Sequence, residues 1–405
     1  MIGQEEATVG LAAPWRERSW EPPEALGRFA RRAFAVGGIG AALSGLGFAV
    51  DPSQFFAAYL VAYLFWLSIA LGGFAVSMIH HLTGGAWGLP VRRVLEAASR
   101  TLPYLALLFL PLLAGLADLY PWARPEAVAA DVLLRHKAPY LNLPFFLARA
   151  ALYFALWGGF AWLLSRLSRR QDALGDPRLA RRMQLLAAPG LGLYCLAATF
   201  ASFDWLMALD PHWYSTIYGV YFVGGHGLSG FAFLILAALA LSRCEPLAGA
   251  LARRHFHDWG KLMLAFVMLW AYFGFSQFLI IWSANLPSEI GFYLERTRHG
   301  WQWAALALVV GHFALPFALL LSRDLKRHAR RLAVVAGVVL AMRWVDLYWQ
   351  AAPALHPERV APHYLDAIAM VAVGGLWLGL FARELGSRPL LPLGAPGLEE
   401  ALGDE

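Results

Sequence analysis

Seven ionisable side chains stand in apolar surroundings in this sequence: Asp118, Arg149, Asp204, His226, His312, Arg343 and Asp346, with Gln277 as a neutral companion. A charge at the centre of a bilayer costs about 2.5–3.5 kcal/mol on insertion scales, so each of these needs a partner or a function. Arg343 and Asp346 are three apart and share a helix face. They read either as an internal ion pair or as a proton site whose acid is tuned by its own arginine. His226 lies in GGHGLSG, about twelve residues into an apolar run, and His312 lies four residues before Pro316. An imidazole of ordinary pKa about 6.5 can exchange protons near neutral pH; it can equally hold two helices together by a hydrogen bond. Pro316 has no N–H to give the His312 carbonyl, which leaves an extra acceptor beside the ring. Asp204 is read as a shallower residue, meeting water or the Trp/Tyr cluster of FDWLMALDPHWYSTIYG (203–219). Asp204, His226, His312, Asp346 and Arg343 together are the candidate proton path; no residue is assigned as catalytic.

Other chemistries lack their residues. Cys195 and Cys244 are far apart, with no CxxC and no Cys/His metal spacing, so they give no disulfide framework, cluster ligation or haem-attachment motif. His255 and His257, in RRHFHD, are short of ligand partners, so no metal site is assigned. No Walker loop, HExxH or nucleophile elbow occurs. His226 and His312 on facing helices could ligate a haem, but nothing else specifies one.

The elements that must position these residues are membrane helices. The chain has 405 residues, 59% hydrophobic and only 15% charged, against about 25% charged in average soluble domains. Ten apolar runs are long enough to cross a bilayer: roughly 33–50, 54–79, 101–119, 140–165, 185–208, 214–241, 260–283, 301–321, 332–350 and 364–383. In lipid they must be helices, because each backbone polar group has to bond within its own segment. The chain thus divides into an N-terminal segment (1–32), a ten-span membrane domain (33–384) and a flexible tail (385–405). Residues 1–30 mix Glu, Pro and Arg and lack the apolar core of a secretory signal.

Of the 33 Lys and Arg, 25 fall on the side of the N-terminus and six on the other, with Arg149 and Arg343 inside spans. The positive-inside rule puts both termini in the cytoplasm. Anionic lipid headgroups, not nucleic acid, are the nearest partners of these basic loops. His80 and His81 close the second span there and are expected to be solvated, and Asp258 is expected to cap the seventh helix.

Four segments carry a resemblance: 201–225 (ASFDWLMALDPHWYSTIYGVYFVGG), 257–296 (from HDWGKLML to GFYLER), 311–327 (GHFALPFALLLSRDLKR) and 343–349 (RWVDLYW). They resemble the second large membrane subunit of bacterial alternative complex III, a quinol:cytochrome c or quinol:oxidase oxidoreductase. Its large membrane subunits are similar to the polysulfide reductase membrane-anchor (NrfD-like) family. The resemblance is specific from about 183 to 350. It implies an all-α fold of two four-helix bundles, spans 2–5 and 6–9, flanked by spans 1 and 10, in the bacterial cytoplasmic membrane. It implies a respiratory subunit without a redox centre of its own, which scaffolds the complex and offers a proton pathway. The implied partners are a sister membrane subunit, small membrane subunits, periplasmic iron–sulfur and haem c subunits, and a terminal oxidase in the oxidase-coupled form. Haem and iron–sulfur clusters belong to those partners, and a quinone or menaquinone is the small-molecule ligand of the complex. Two alternatives stay open: that this chain itself binds the quinone, and that it is a free-standing proton-coupled transporter.

Overall fold

The computed structural model describes residues 20–402 apart from 245, 246 and 249. Ten helices among them are long and apolar enough to cross a membrane. They are Glu24–Val50, Pro52–Thr83, Leu89–Ala114, Leu143–Leu174, Pro177–Leu209, Tyr218–Leu241, Arg253–Ala284, Trp301–Leu321, Ala329–Leu355 and Tyr364–Leu385, here spans 1 to 10. The protein is an all-α, multi-pass membrane protein. Spans 2–5 and spans 6–9 form two four-helix bundles, and spans 1 and 10 pair with each other against span 2.

Spans 2 and 6 are the most buried and pack on each other between the bundles. Their close approach needs glycine. A Cβ on Gly72 would lie 2.1 Å from the His226 carbonyl oxygen, and one on Gly230 would lie 2.6 Å from the backbone of Gly72. Only small residues let two backbones meet this closely in lipid. Ser68 Oγ donates to Ser229 Oγ at 3.1 Å beside the crossing.

The helix ends follow local chemistry. Asp51 turns span 1 into span 2, its carboxylate accepting from Gln54 N at 3.0 Å and Ser53 Oγ at 2.9 Å. Asn142 and Asp176 cap spans 4 and 5 in the same way. Pro353, inside span 9, has no N–H for the carbonyl of Trp349. Arg296, at the end of the short helix Pro287–Arg296, fills the gap: its Nε donates to Trp349 O at 3.2 Å and its Nη2 to Gln350 O at 2.9 Å. The guanidinium also stacks 3.4 Å above the Phe292 ring. Burial pushes its pKa down to about 10, so it stays cationic at neutral pH.

Several boundaries differ from the sequence expectation. The third span starts at Leu89 rather than near 101, because Arg92 and Arg93 pair with Glu96, and Arg93 also with Asp172, so the charged groups enter the protein together. Arg92 Nε meets Glu96 at 2.9 Å and Arg93 Nη1 meets it at 2.6 Å. The seventh begins at Arg253, so Asp258 is internal to the helix and pairs with Lys261 at 2.7 Å instead of capping. His80 is buried against Gly88 and Trp87 rather than solvated. Span 6 begins at Tyr218, which puts His226 eight residues in, about 12 Å along the axis.

The tail is the largest correction. Residues 386–402 fold across the arginine-rich end of the bundles instead of hanging free. Arg388 donates to Ser165 Oγ at 2.6 Å, Leu390 N to Trp20 O at 2.9 Å, and Leu391 and Leu398 are buried. Leu398 sits in the short helix Leu398–Leu402, which His255 holds through Ala401 O at 2.9 Å. The apolar residues of PLLPLGAPGLEEAL supply the driving force that its Pro and Gly content concealed. Of the assigned N-terminal segment and tail, residues 1–19 and 403–405 lie outside the described residues.

Two expectations follow. Arg296→Leu should lower stability by about 2–3 kcal/mol, the range for lost bonds from a charged donor. Pro353→Ala in that background should recover part of the loss by returning an N–H to Trp349 O; thermal unfolding in detergent measures both. The bonds to Gln54 and Ser53 hold the Asp51 carboxyl below its ordinary value. A lowered acid stabilises above its unfolded pKa and loses this as pH falls through the folded one. Asp51→Ala should therefore cost about 1 kcal/mol at pH 7, and the difference from wild type should shrink below about pH 4.

Candidate functional site

The membrane interior holds two arginine–aspartate pairs, one in each bundle. In the first, Arg149 of span 4 reaches Asp204 of span 5. Its Nε and Nη2 donate to the two carboxylate oxygens at 2.9 and 2.8 Å, and Tyr153 Oη donates to Oδ2 at 2.8 Å. The guanidinium lies 3.8 Å from the Tyr140 ring and 4.3 Å from the Phe145 ring, and its Nη1 bonds to Tyr140 O. Asp204 is 1% exposed. It is not the water-facing interface residue that its sequence position suggests, because the span 4–5 hairpin carries a guanidinium to it.

In the second pair, Asp346 binds the Nη1 of Arg343 one turn earlier on span 9, as the three-residue spacing implies. Three further donors converge on the same carboxylate. Tyr221 Oη of span 6 lies at 2.5 Å, Gln350 Nε2 at 3.0 Å and Trp270 Nε1 of span 7 at 3.1 Å. An ionised carboxylate has about four lone-pair sites, and here four donors occupy them. A proton on Asp346 would displace one of these bonds. Tyr218 Oη extends the network by donating to Gln350 Oε1 at 3.0 Å.

Arg343 is only partly used. Its Nε and Nη2 are buried and make no hydrogen bond to protein. The guanidinium lies against Gly225, where a Cβ would come within 2.3 Å of Cζ. The next residue is His226. Its Nδ1 meets Tyr194 Oη of span 5 at 2.9 Å, and its Nε2 has no protein partner. His312 of span 8 is also fully buried, with its ring edge-on to Trp270 at a centroid distance of 4.3 Å and neither nitrogen bonded to protein. It sits in a π-helical stretch, Leu308–Ala314, just before Pro316, and Leu315 N bonds back five residues to Val310 O. Single π turns recur at functional sites, and this one follows from the donor that Pro316 lacks.

Contacts therefore link Tyr194 to His226, His226 through Gly225 to Arg343, Arg343 to Asp346, and Asp346 through Trp270 to His312. Four of the five proposed path residues meet here; Asp204 belongs to the separate pair in the first bundle. Gln277 lies toward the end of span 7, bonded to Ser215 and Tyr293. Asp118 is exposed, with no role in either cluster. The residues that sequence reasoning missed are Tyr153, Tyr194, Tyr221, Trp270 and Gln350. Gln350, four residues after Asp346, had the one local signal.

Five buried polar atoms in this contact chain make no hydrogen bond to protein: His226 Nε2, both ring nitrogens of His312, and Nε and Nη2 of Arg343. Buried ordered water typically serves such atoms with two to four bonds each. A haem between the two histidines does not fit. The space beside Gly225 is taken by the Arg343 guanidinium, and a Cβ on Gly227 would already lie 2.0 Å from the Phe266 ring. Among the described residues, no three His, Cys, Asp or Glu side chains are grouped to hold a metal ion.

The first pair makes a stability prediction. Asp204→Leu leaves Arg149 as an unpaired buried cation and should cost about 3–5 kcal/mol. Arg149→Leu with Asp204→Leu should cost markedly less than the single change, with folded yield in detergent as the measure.

No family model matches the chain, and no curated protein matches it.

Proposed function

We propose that this chain is an integral membrane subunit of a quinol-oxidising respiratory electron-transfer complex of the alternative complex III kind, seated in the bacterial cytoplasmic membrane. It scaffolds the complex and moves protons through the junction of its two bundles. One observation carries this reading. The four separated segments that bear the resemblance converge: Tyr221 from the first, Trp270 from the second, His312 from the third, and Arg343 with Asp346 from the fourth touch one another in the membrane interior. Motifs 120 residues apart that close on one buried polar cluster are hard to account for by lipid exposure or core packing alone.

The chemistry divides among the residues. Asp346, with four donors, and Asp204, with three, anchor the helices around them. His226 and His312 are the proton-exchanging groups, since each has a ring nitrogen free of protein partners in a buried polar site. Arg343 orients solvent between them and, by its positive charge, keeps a visiting proton from resting there. Iron–sulfur and haem c partners supply the redox chemistry. The sister subunit holds the quinol.

Affinity purification from native membranes tests the assembly: haem c and iron–sulfur polypeptides should co-purify with quinol-dependent reductase activity. A chain that emerges alone and carries a solute across vesicles would overturn it. Within the complex, His226→Phe and His312→Phe should each lower quinol-coupled proton uptake by about a hundredfold, the low end for lost proton-transfer groups. Gly225→Ala should do the same by displacing Arg343, with haem content unchanged. Unaltered proton uptake in all three would make the cluster purely structural.

A further inference from the structure

The arginines at the basic end of the protein are of two kinds. Arg92, Arg93, Arg100 and Arg388 are drawn inward and paired with Glu96, Asp172 and Glu384. A second group is exposed at the end of the span 4–5 hairpin: Arg166, Arg169, Arg170, Arg178, Arg181 and Arg182. Two carboxylates lie in the same stretch. Asp172 is taken by Arg93, and Asp176 caps span 5. Among the described residues none of the six guanidinia makes an ion pair. Arg166 lies 5.3 Å from the Trp162 ring, and Arg181 bonds to Gln184.

The surroundings of this group set it at a membrane boundary. Trp162 is 55% exposed one turn before Arg166, and Leu185 is 58% exposed one turn after Arg181 and Arg182. An exposed indole and an exposed leucine belong in the acyl and interfacial layer, and the guanidinia then fall at headgroup depth. Spans 4 and 5 pack side by side, and on each the exposed arginines recur at helical spacing, 166, 169 and 170 on one and 178, 181 and 182 on the other. Guanidinium groups bind phosphate in bidentate fashion, and a surplus of unpaired ones favours an anion over a zwitterion.

We propose that this hairpin end binds an anionic phospholipid, with Arg166, Arg169, Arg170, Arg181 and Arg182 holding the phosphate and Trp162 and Leu185 lying along the acyl chains. The choice of lipid over an acidic protein rests on charge complementarity joined to those exposed apolar neighbours, which a water-soluble partner would leave in hydrocarbon.

The test uses the full chain in detergent, stripped of lipid and returned to phosphatidylglycerol, cardiolipin or phosphatidylcholine, with bound lipid counted by native mass spectrometry. Wild type should retain the anionic lipids at least tenfold better than phosphatidylcholine. Changing the five arginines to Gln should abolish that preference. Changing them to Lys should keep part of it, and this variant also shows that the fold tolerates substitution there. Arg28, Arg31 and Arg32 changed to Gln, at the basic end of span 1, should leave it intact. An equal loss in the span 1 variant would reduce the effect to net charge and sink the proposal. So would retention unchanged by the five glutamines, or capture of an acidic protein in place of lipid.

Discussion

A carboxylate cannot stand alone in hydrocarbon, and this protein brings Asp204 and Asp346, buried inside its two bundles, a guanidinium each. The cost of an isolated charge there far exceeds what packing can return. The positions of Asp204 and Asp346 are therefore fixed by Arg149 and Arg343, and the helices that carry these groups are fixed with them. Spans 4 and 5 are clasped by one pair. Spans 6, 7 and 9 are drawn together by the other, because Tyr221 and Trp270 must also reach Asp346. Asp204 accepts three donors and Asp346 four, whereas His226 and His312 each keep an unpartnered ring nitrogen, the feature that proton exchange needs.

The ten spans were legible because lipid imposes one rule on every backbone segment, and hydropathy reads that rule directly. The Arg343–Asp346 pair was legible for a local reason, three residues on one helix. Asp204 was not, since its partner is 55 residues away and only the hairpin brings Arg149 to it. The same holds for Arg296 and the gap left by Pro353. The span 3 boundary failed for a different cause. Hydropathy counts Arg92, Arg93 and Glu96 as three polar residues, yet at spacings of three and four they pair, and with Asp172 of span 4 the two cations meet two carboxylates and bury as one unit. Their spacing was a signal that a residue-by-residue scale cannot carry. In the tail, Gly and Pro content masks the leucines, of which Leu390, Leu391 and Leu398 are buried and hold the segment down.

The two bundles are alike in plan and unlike in what they leave unpaired. In the first, Arg149 places both forks of its guanidinium on Asp204 and its third donor on Tyr140 O, and Tyr153 adds to the acid. Every guanidinium nitrogen of Arg149 has a protein partner, so this pair is a clasp. In the second, Arg343 gives only Nη1 to Asp346, since Tyr221, Gln350 and Trp270 take the remaining lone pairs. The crowding of donors on the acid is what frees Nε and Nη2 of the arginine. Gly225 allows the guanidinium to lie against span 6, next to His226, and the Gly72–Gly230 crossing brings span 2 against the same stretch of helix. A side chain at any of these three glycines would push apart the surfaces that enclose the polar cluster. The asymmetry between the bundles therefore rests on three absent side chains in the junction helices, and the functional reading of the second bundle rests on that asymmetry.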